Sequence, residues 1–331
     1  MVSGNWISPS PQNKIGMPQL LRAFFRLIRF PNLVFIFLTQ LTFYYCILLP
    51  CFAYVNPAEP YPHKLTPLLF YLLCASSILI AAAGYTINDY FDLNIDRVNK
   101  PKRMVVEKVI KRRWTILWHW SLSGIGVLLG FYVSWAVRNP LVGLANLGCV
   151  VLLWFYSTTF KRKLLIGNVI ISLLTAWVIL VLFVCEARIT ADPVYREVSS
   201  RLFKFAIVYG SFAFIISLVR EVVKDIEDMD GDAKYGCRTM PIVWGVNVAK
   251  VFAGTWLAVL IGALIIFQFY VLQKAWWPLI LYSVLLLDLP LLWILRKLYE
   301  AQAKPQYHRL SNVIKGVMLA GILSMFMLKL M

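Results

Sequence analysis

Apolar residues run along this chain in long blocks, broken by short polar stretches rich in Lys and Arg. Roughly 20 consecutive apolar residues cross a bilayer as helix, and nine blocks reach that length, at about 32–52, 66–90, 114–136, 139–158, 165–185, 203–222, 251–271, 276–295 and 312–330. Backbone groups in hydrocarbon must be satisfied within their own segment, so each block is read as a helix. The pattern predicts an all-α, polytopic membrane bundle of nine transmembrane helices. No polar linker divides the blocks, so 32–331 is read as a single transmembrane domain.

The region before it, 1–31, is read as a polar N-terminus and an amphipathic interfacial helix. Residues 17–30, MPQLLRAFFRLIRF, set Arg22, Arg26 and Arg29 at helical spacing among Leu, Phe and Ile before Pro31 turns the chain inward. No short apolar run ends at a small-residue cleavage site, so neither a secretory signal nor an organelle transit peptide is expected.

Composition agrees with the pattern: 60% of residues are hydrophobic and 15% charged, with 33 Lys plus Arg against 16 Asp plus Glu. The excess of +17 is unevenly placed. Most of it lies in the N-terminus and the even-numbered connections, the signature of a bundle whose N-terminus is cytoplasmic and, with nine spans, whose C-terminus is outside. Topology accounts for the charge, and no nucleic-acid partner is expected. The inner (plasma) membrane is the expected location. The six cysteines show no CxxC spacing and read as packing residues, and the three scattered histidines argue against haem or zinc. The second and sixth spans both end in acids and the fourth and eighth in bases, a faint trace of internal duplication.

The acids carry the chemistry. Nine of the 16 fall in two windows: Asp89, Asp92 and Asp96 in NDYFDLNID at 88–96, and Glu221, Asp225, Glu227, Asp228, Asp230 and Asp232. At 100° per residue, Asn88, Asp89, Asp92 and Asp96 share an arc of about 100°, and Glu221, Asp225, Asp228 and Asp232 one of about 60°. Glu227 and Asp230 point elsewhere, Asp89 sits at the edge of its arc, and Gly231 is expected to end or loosen the helix. Stacked carboxylates repel unless a cation lies between them. Oxygen ligands without His or Cys suit a hard ion such as Mg2+, which commonly binds through phosphates. Two such rows at one membrane face suit a diphosphate. Solvated helix ends balancing nearby bases are the bland alternative, less able to explain two matching rows. Neighbouring bases add phosphate donors: Arg97, Lys100, Lys102 and Arg103 after the first row, Arg220 and Lys224 within the second, Lys234 and Arg238 after it. Tyr156 and Lys161, in YSTTFKRKLLIGN at 156–168, form a third element within reach of a phosphate.

Together these elements resemble the UbiA superfamily of intramembrane prenyltransferases. Asn88, Asp92 and Asp96 fit its first signature, and REVVKDIEDMDGDAKYGCRTMPI at 220–242 fits its second. The resemblance implies a bundle around a membrane-open cavity with cytoplasmic capping loops, and Mg2+-dependent transfer of a prenyl group from its diphosphate. It implies that Asn88, Asp92, Asp96, Asp228 and Asp232 are catalytic and hold the metal with Glu221 and Asp225. Arg97, Tyr156, Lys161, Arg220 and Lys224 would bind substrate. NDYFDLNIDRVNKPKR with KDIEDMDGDAKYGCRTMP looks most like the branch represented by digeranylgeranylglyceryl phosphate synthase, which implies a glycerol-phosphate ether lipid as acceptor. The chain departs from that branch after the first motif, running KRMVVEKVIKRR where RPIPSG-like residues are usual. An aromatic acceptor of quinone biosynthesis stays open beside the lipid. A cation-coupled transporter is the competing class, and it would place its acids nearer the midplane.

Overall fold

The computed structural model describes residues 16–54, 60–101, 104–188 and 190–329. The polar stretch 1–15 and the bases Lys102 and Arg103 lie outside them. A short helix, α1 (Met17–Leu27), precedes the first long one, α2 (Phe30–Ala53). Then come α3 (Pro67–Phe91), the short α4 (Leu93–Asn99), α5 (Arg112–Ala136), α6 (Pro140–Thr158) and α7 (Ile166–Glu186). The chain closes with α8 (Pro193–Lys234), α9 (Val246–Leu272), α10 (Trp277–Glu300) and α11 (Lys304–Lys329). Nine of these, all but α1 and α4, are long and apolar enough to cross a membrane among the described residues.

Proline sets several of the starts. Pro67, Pro140 and Pro193 stand in the first turn of α3, α6 and α8, where the missing N–H had no helical partner to lose. The side chains of Asn139 and Asp192 cap α6 and α8 by accepting from the backbone N–H of Leu141 and Val194. Inside α2 and α10, Pro50 and Pro290 follow π-helical turns at Tyr44–Leu48 and Val284–Asp288. The wider turn absorbs the break in the hydrogen-bond ladder, so each helix continues across its proline.

Two apolar cores hold the bundle. One joins Phe43, Tyr44, Phe52, Phe70, Leu182 and Leu202, packing α2, α3, α7 and α8. The other joins Ile216, Val222, Leu257, Leu291 and Ile314, packing α8 through α11. A smaller cluster docks Ala23 and Leu27 of α1 on Leu93, Val105, Val106 and Ile110. It covers the end of the bundle where the acidic windows lie.

The sixth long helix departs from expectation. It runs 42 residues without interruption, through Gly231 to Lys234. Gly231 neither ends nor loosens it. It is buried because Asn99 of α4 occupies the space a side chain would need: a Cβ there would stand 2.3 Å from Asn99 Oδ1.

Candidate active site

The tail of α3, the head of α2, α6, α7, the tail of α8 and part of α11 surround a cavity of about 500 Å3. Asn88, Asp89, Asp92 and Asp96 reach it from one side and Glu221, Asp225, Asp228 and Asp232 from the other. Glu227 turns away to His308 at 2.8 Å, and Asp230 faces outward, as the helical wheel predicts.

The first row keeps its four-residue step across a break. Asp92 sits between α3 and α4 with φ −83° and ψ 1°, a sparsely populated backbone region common at active sites. The amides of Asp92 and Asp96 still bond back to the carbonyls of Asn88 and Asp92, at 2.9 and 2.8 Å. Asn88 Nδ2 donates to Asp92 Oδ2 at 2.7 Å. Asp92 is 4% exposed, and Lys161 meets it as an ion pair from the α6–α7 connection. Burial works against the Lys161 ammonium, but Asp92, Tyr156 and Asp96 outweigh it and hold its pKa above the usual lysine range. Burial first, then the neighbouring Asp92 carboxylate, pushes Asp96 above the usual carboxylate range. Asp89 at the edge of the arc is engaged by Arg29 at 2.9 Å.

Each acid of the second row has a polar neighbour on another residue. Glu221 meets Arg220 at 2.8 Å and Lys224 at 3.5 Å, and Asp225 accepts from Asn168 Nδ2 at 2.8 Å. Asp228 meets Lys100 at 2.6 Å, and Asp232 lies 3.4 Å from Asn99 Nδ2. Lys100, from just past α4, reaches across to Asp228 on α8, while Lys161, from the α6–α7 connection, reaches Asp92. Among the described residues, Asn88 Oδ1 and Asp228 Oδ1 of these rows are buried without a hydrogen-bond partner.

The UbiA prenyltransferase family model matches residues 47–314. The chain belongs to the UbiA prenyltransferase family. It is 32% identical over 175 residues to digeranylgeranylglyceryl phosphate synthase of Methanosphaera stadtmanae, a stretch covering 53% of this chain and 57% of that protein. To the synthase of the same name from Thermococcus sibiricus it is 27% identical over 261 residues, 79% of this chain and 83% of that one. The chain therefore spans little more than half the length of the first relative. Among solved structures, one concerned with digeranylgeranylglyceryl phosphate synthase in membranes superposes with TM-score 0.59 at 23% identity, over 93% of this chain and 97% of that one. A UbiA homologue from Archaeoglobus fulgidus bound to DMAPP and Mg2+ gives 0.55 at 16%, over 92% and 99%. At these identities the likeness shows the fold. With nine apolar helices among the described residues and this family, the protein is a multi-pass integral membrane protein.

Of the site residues read from this UbiA sequence, Asn88, Asp92, Asp96, Tyr156, Lys161, Arg220, Glu221, Lys224, Asp225, Asp228 and Asp232 all line the one cavity. Arg97 does not. Its side chain is 56% exposed and pairs with Glu107 at 3.2 Å, because α4 turns it outward, while Lys100, past the end of the helix, lines the cavity. Lys234 and Arg238 lie on the outer surface, where the Arg238 amide bonds the Arg162 carbonyl at 2.8 Å. Among the lining residues that escaped sequence reasoning as site members are Arg29, Asn99, Asn168 and Lys315. Asn99 extends the 88–92–96 face by three residues, and Asn168 closes the YSTTFKRKLLIGN stretch. Lys315 carries the plainest signal, a charge inside an apolar block, which is costly in lipid unless it faces the bundle interior.

Proposed function

We propose that this chain transfers a prenyl group from an allylic diphosphate to the hydroxyl of a glycerol-phosphate ether lipid, with Mg2+ as cofactor. The observation that carries the reading is the meeting of both acidic rows, with Lys100 and Lys161 between them, in one cavity lined by apolar helices. The names of the archaeal relatives support the acceptor, and the DMAPP and Mg2+ of the Archaeoglobus homologue support the donor and the metal.

The residues fit the metal. Mg2+ prefers oxygen ligands, keeps several waters and binds through one or two carboxylates plus phosphate rather than an all-protein cage. Asn88, Asp92, Asp96, Glu221, Asp225, Asp228 and Asp232 offer only oxygens and one amide, and the unpartnered Asn88 Oδ1 and Asp228 Oδ1 are ready acceptors for a cation. When bound there, Mg2+ supplies neutralisation of the charge that develops on the departing diphosphate.

The chain supplies the rest. Lys100 and Lys161, each already beside a carboxylate, and Lys224 from the cavity wall donate N–H groups to phosphate oxygens, and Tyr156 donates its hydroxyl. The bond from the allylic carbon to the diphosphate oxygen breaks, and a new ether bond forms to the acceptor hydroxyl. The hydroxyl proton passes to a carboxylate lining the cavity. Apolar neighbours such as Ile80, Leu153, Ile171 and Val178 keep water from the allylic cation.

The test is a mass-spectrometric acceptor screen with purified protein, Mg2+ and geranylgeranyl diphosphate. The expected product comes from the glycerol-phosphate ether lipid. Product from hydroxybenzoate, dihydroxynaphthoate or homogentisate, with none from the lipid, overturns the choice of acceptor.

A further inference from the structure

Not every carboxylate in the cavity is answered by a base. Asp92, Glu221 and Asp228 each pair with a lysine or arginine, whereas no base pairs with Asp225 among the described residues. Its hydrogen-bond partner there is Asn168, whose Nδ2 donates to Asp225 Oδ2 at 2.8 Å. We propose that Asn168 is a positioning residue for the reaction: it aims Asp225 at the metal, from a connection that also delivers Lys161 to the opposite row. The proposal rests on the metal–diphosphate reading above and adds what fixes a ligand of the second row.

A neutral donor acts differently here from a charged one. A carboxylate only accepts, so the amide must present its NH2 group to Asp225. That contact occupies one oxygen and limits rotation of the carboxylate, yet it cancels none of its charge. An ammonium in the same place would neutralise the ligand. The other oxygen makes no hydrogen bond among the described residues, and Asp225 lines the cavity. A carboxylate held at one oxygen and open at the other suits a hard cation that shares its shell with phosphate and water.

Asn168 is itself held in place. It is 8% exposed in the first turn of α7, and the Ser172 hydroxyl donates to its carbonyl at 2.7 Å. Leu165, just before the helix, has φ 60° and ψ −28°, left-handed for a residue with a Cβ. Such conformations cost about 1 kcal/mol or more and persist where surrounding structure demands them. The reversal lays the start of α7 back on the short 3-10 turn Phe160–Arg162. Gly167 permits the approach. A Cβ there would stand 3.0 Å from the Phe160 carbonyl oxygen and 3.1 Å from Lys161 Cα.

Two side chains leave this compact unit for different rows. Lys161 meets Asp92, and Asn168, seven positions later, meets Asp225. The unit is also tied to the segment after α8, where the Arg238 amide donates to the Arg162 carbonyl at 2.8 Å. Carboxylates facing each other across a cavity repel and cannot set their own separation. The backbone contact between Gly167 and Lys161 sets it for Asp92 and Asp225.

The probe is Mn2+, which takes oxygen ligands as Mg2+ does. Its binding is followed by electron paramagnetic resonance in the presence of a geranylgeranyl diphosphate analogue with sulfur as the bridging atom. Wild type is compared with Asn168→Leu, Asn168→Ala and Asn168→Gln. Leucine fills the space and alanine empties it, so the loss they share is the donor, and either one that runs as a folded species carries the comparison. Removing the hydrogen-bond partner of a metal ligand costs about 10–100-fold in affinity, so the Mn2+ Kd should rise by at least about tenfold. Asn168→Gln keeps the amide and should recover part of the loss. The Mg2+ needed for half-maximal prenyl transfer should rise in step, while kcat at saturating Mg2+ stays within about threefold. In an Asp225→Asn background no carboxylate is left to aim, and the same substitution should change Kd by less than about twofold. A Kd within about twofold of wild type without the donor, or the full loss repeated in the Asp225→Asn background, overturns the proposal. A wild type that binds Mn2+ no more tightly with the analogue than without it overturns the metal–diphosphate reading instead.

Discussion

Asn99 grips the backbone of α8 at Gly231: its Oδ1 accepts the Gly231 N–H at 3.0 Å while its Nδ2 donates to the Asp228 carbonyl at 2.9 Å. This clamp fixes α4, which follows the first acidic row, against the helix that carries the second. The absence of a side chain at Gly231 makes it possible. Gly231→Ala is expected to push Asn99 away and separate the rows. Overpacking of this kind costs about 1–3 kcal/mol. The variant should lose several degrees of thermal stability and most of its prenyl transfer. An alanine variant with wild-type Tm and turnover would refute the clamp.

Lys161 meets Asp92 inside the cavity and is placed to donate to the departing diphosphate. Lys161→Gln should lower kcat by about 100-fold or more, the range for removing one donor to a developing anion. It should remain folded in detergent, as judged by size-exclusion chromatography. A kcat within a few-fold of wild type removes Lys161 from the reaction.

Helix order and the acidic faces were legible in the sequence because both rest on periodicity. Nine apolar blocks became nine long helices among the described residues, and each acidic residue the wheel put on the shared face lines the cavity, while Glu227 and Asp230 do not. What was not legible depends on partners far away in sequence. Gly231 reads as a helix breaker by propensity, yet its reason is the Asn99 side chain 132 residues away. Arg97 follows Asp96 directly and so looks like a phosphate ligand, but adjacent residues on a helix point about 100° apart. Lys315 sat in a block counted for its hydrophobicity, where one charge changes the sum little and the chemistry greatly.

Away from the cavity, Glu186 ties the opposite end of the bundle together. It is 1% exposed and accepts the backbone N–H groups of Lys64 at 2.9 Å and Leu65 at 2.7 Å. Glu186→Ala would leave two donors without that acceptor, at about 1–3 kcal/mol for each that stays dry. Thermal unfolding should show a clear drop in Tm, while KM for the diphosphate stays unchanged. A large shift in that KM would mean the two ends are coupled.

The same end gives a pH prediction. Asp192 accepts from the Tyr61 hydroxyl at 2.7 Å, and this bond, with those from the start of α8, holds the carboxyl below its ordinary range. A depressed pKa in the folded state stabilises fully above the unfolded value, about 3.9 for Asp, and is lost as pH falls through the folded value. Tyr61→Phe should therefore lower Tm at pH 7, with the gap from wild type closing below about pH 4. A gap that stays constant with pH would show that the ring contact, not the bond to Asp192, sets the difference.

The most direct measurement of the central claim is prenyl transfer from geranylgeranyl diphosphate by wild type, Asp92→Asn and Asp228→Asn, each with Mg2+ or with EDTA. Product should form only in wild type with Mg2+, while all three proteins run as the same folded species by size-exclusion chromatography. Undiminished product in EDTA, or full activity in both variants, would contradict it.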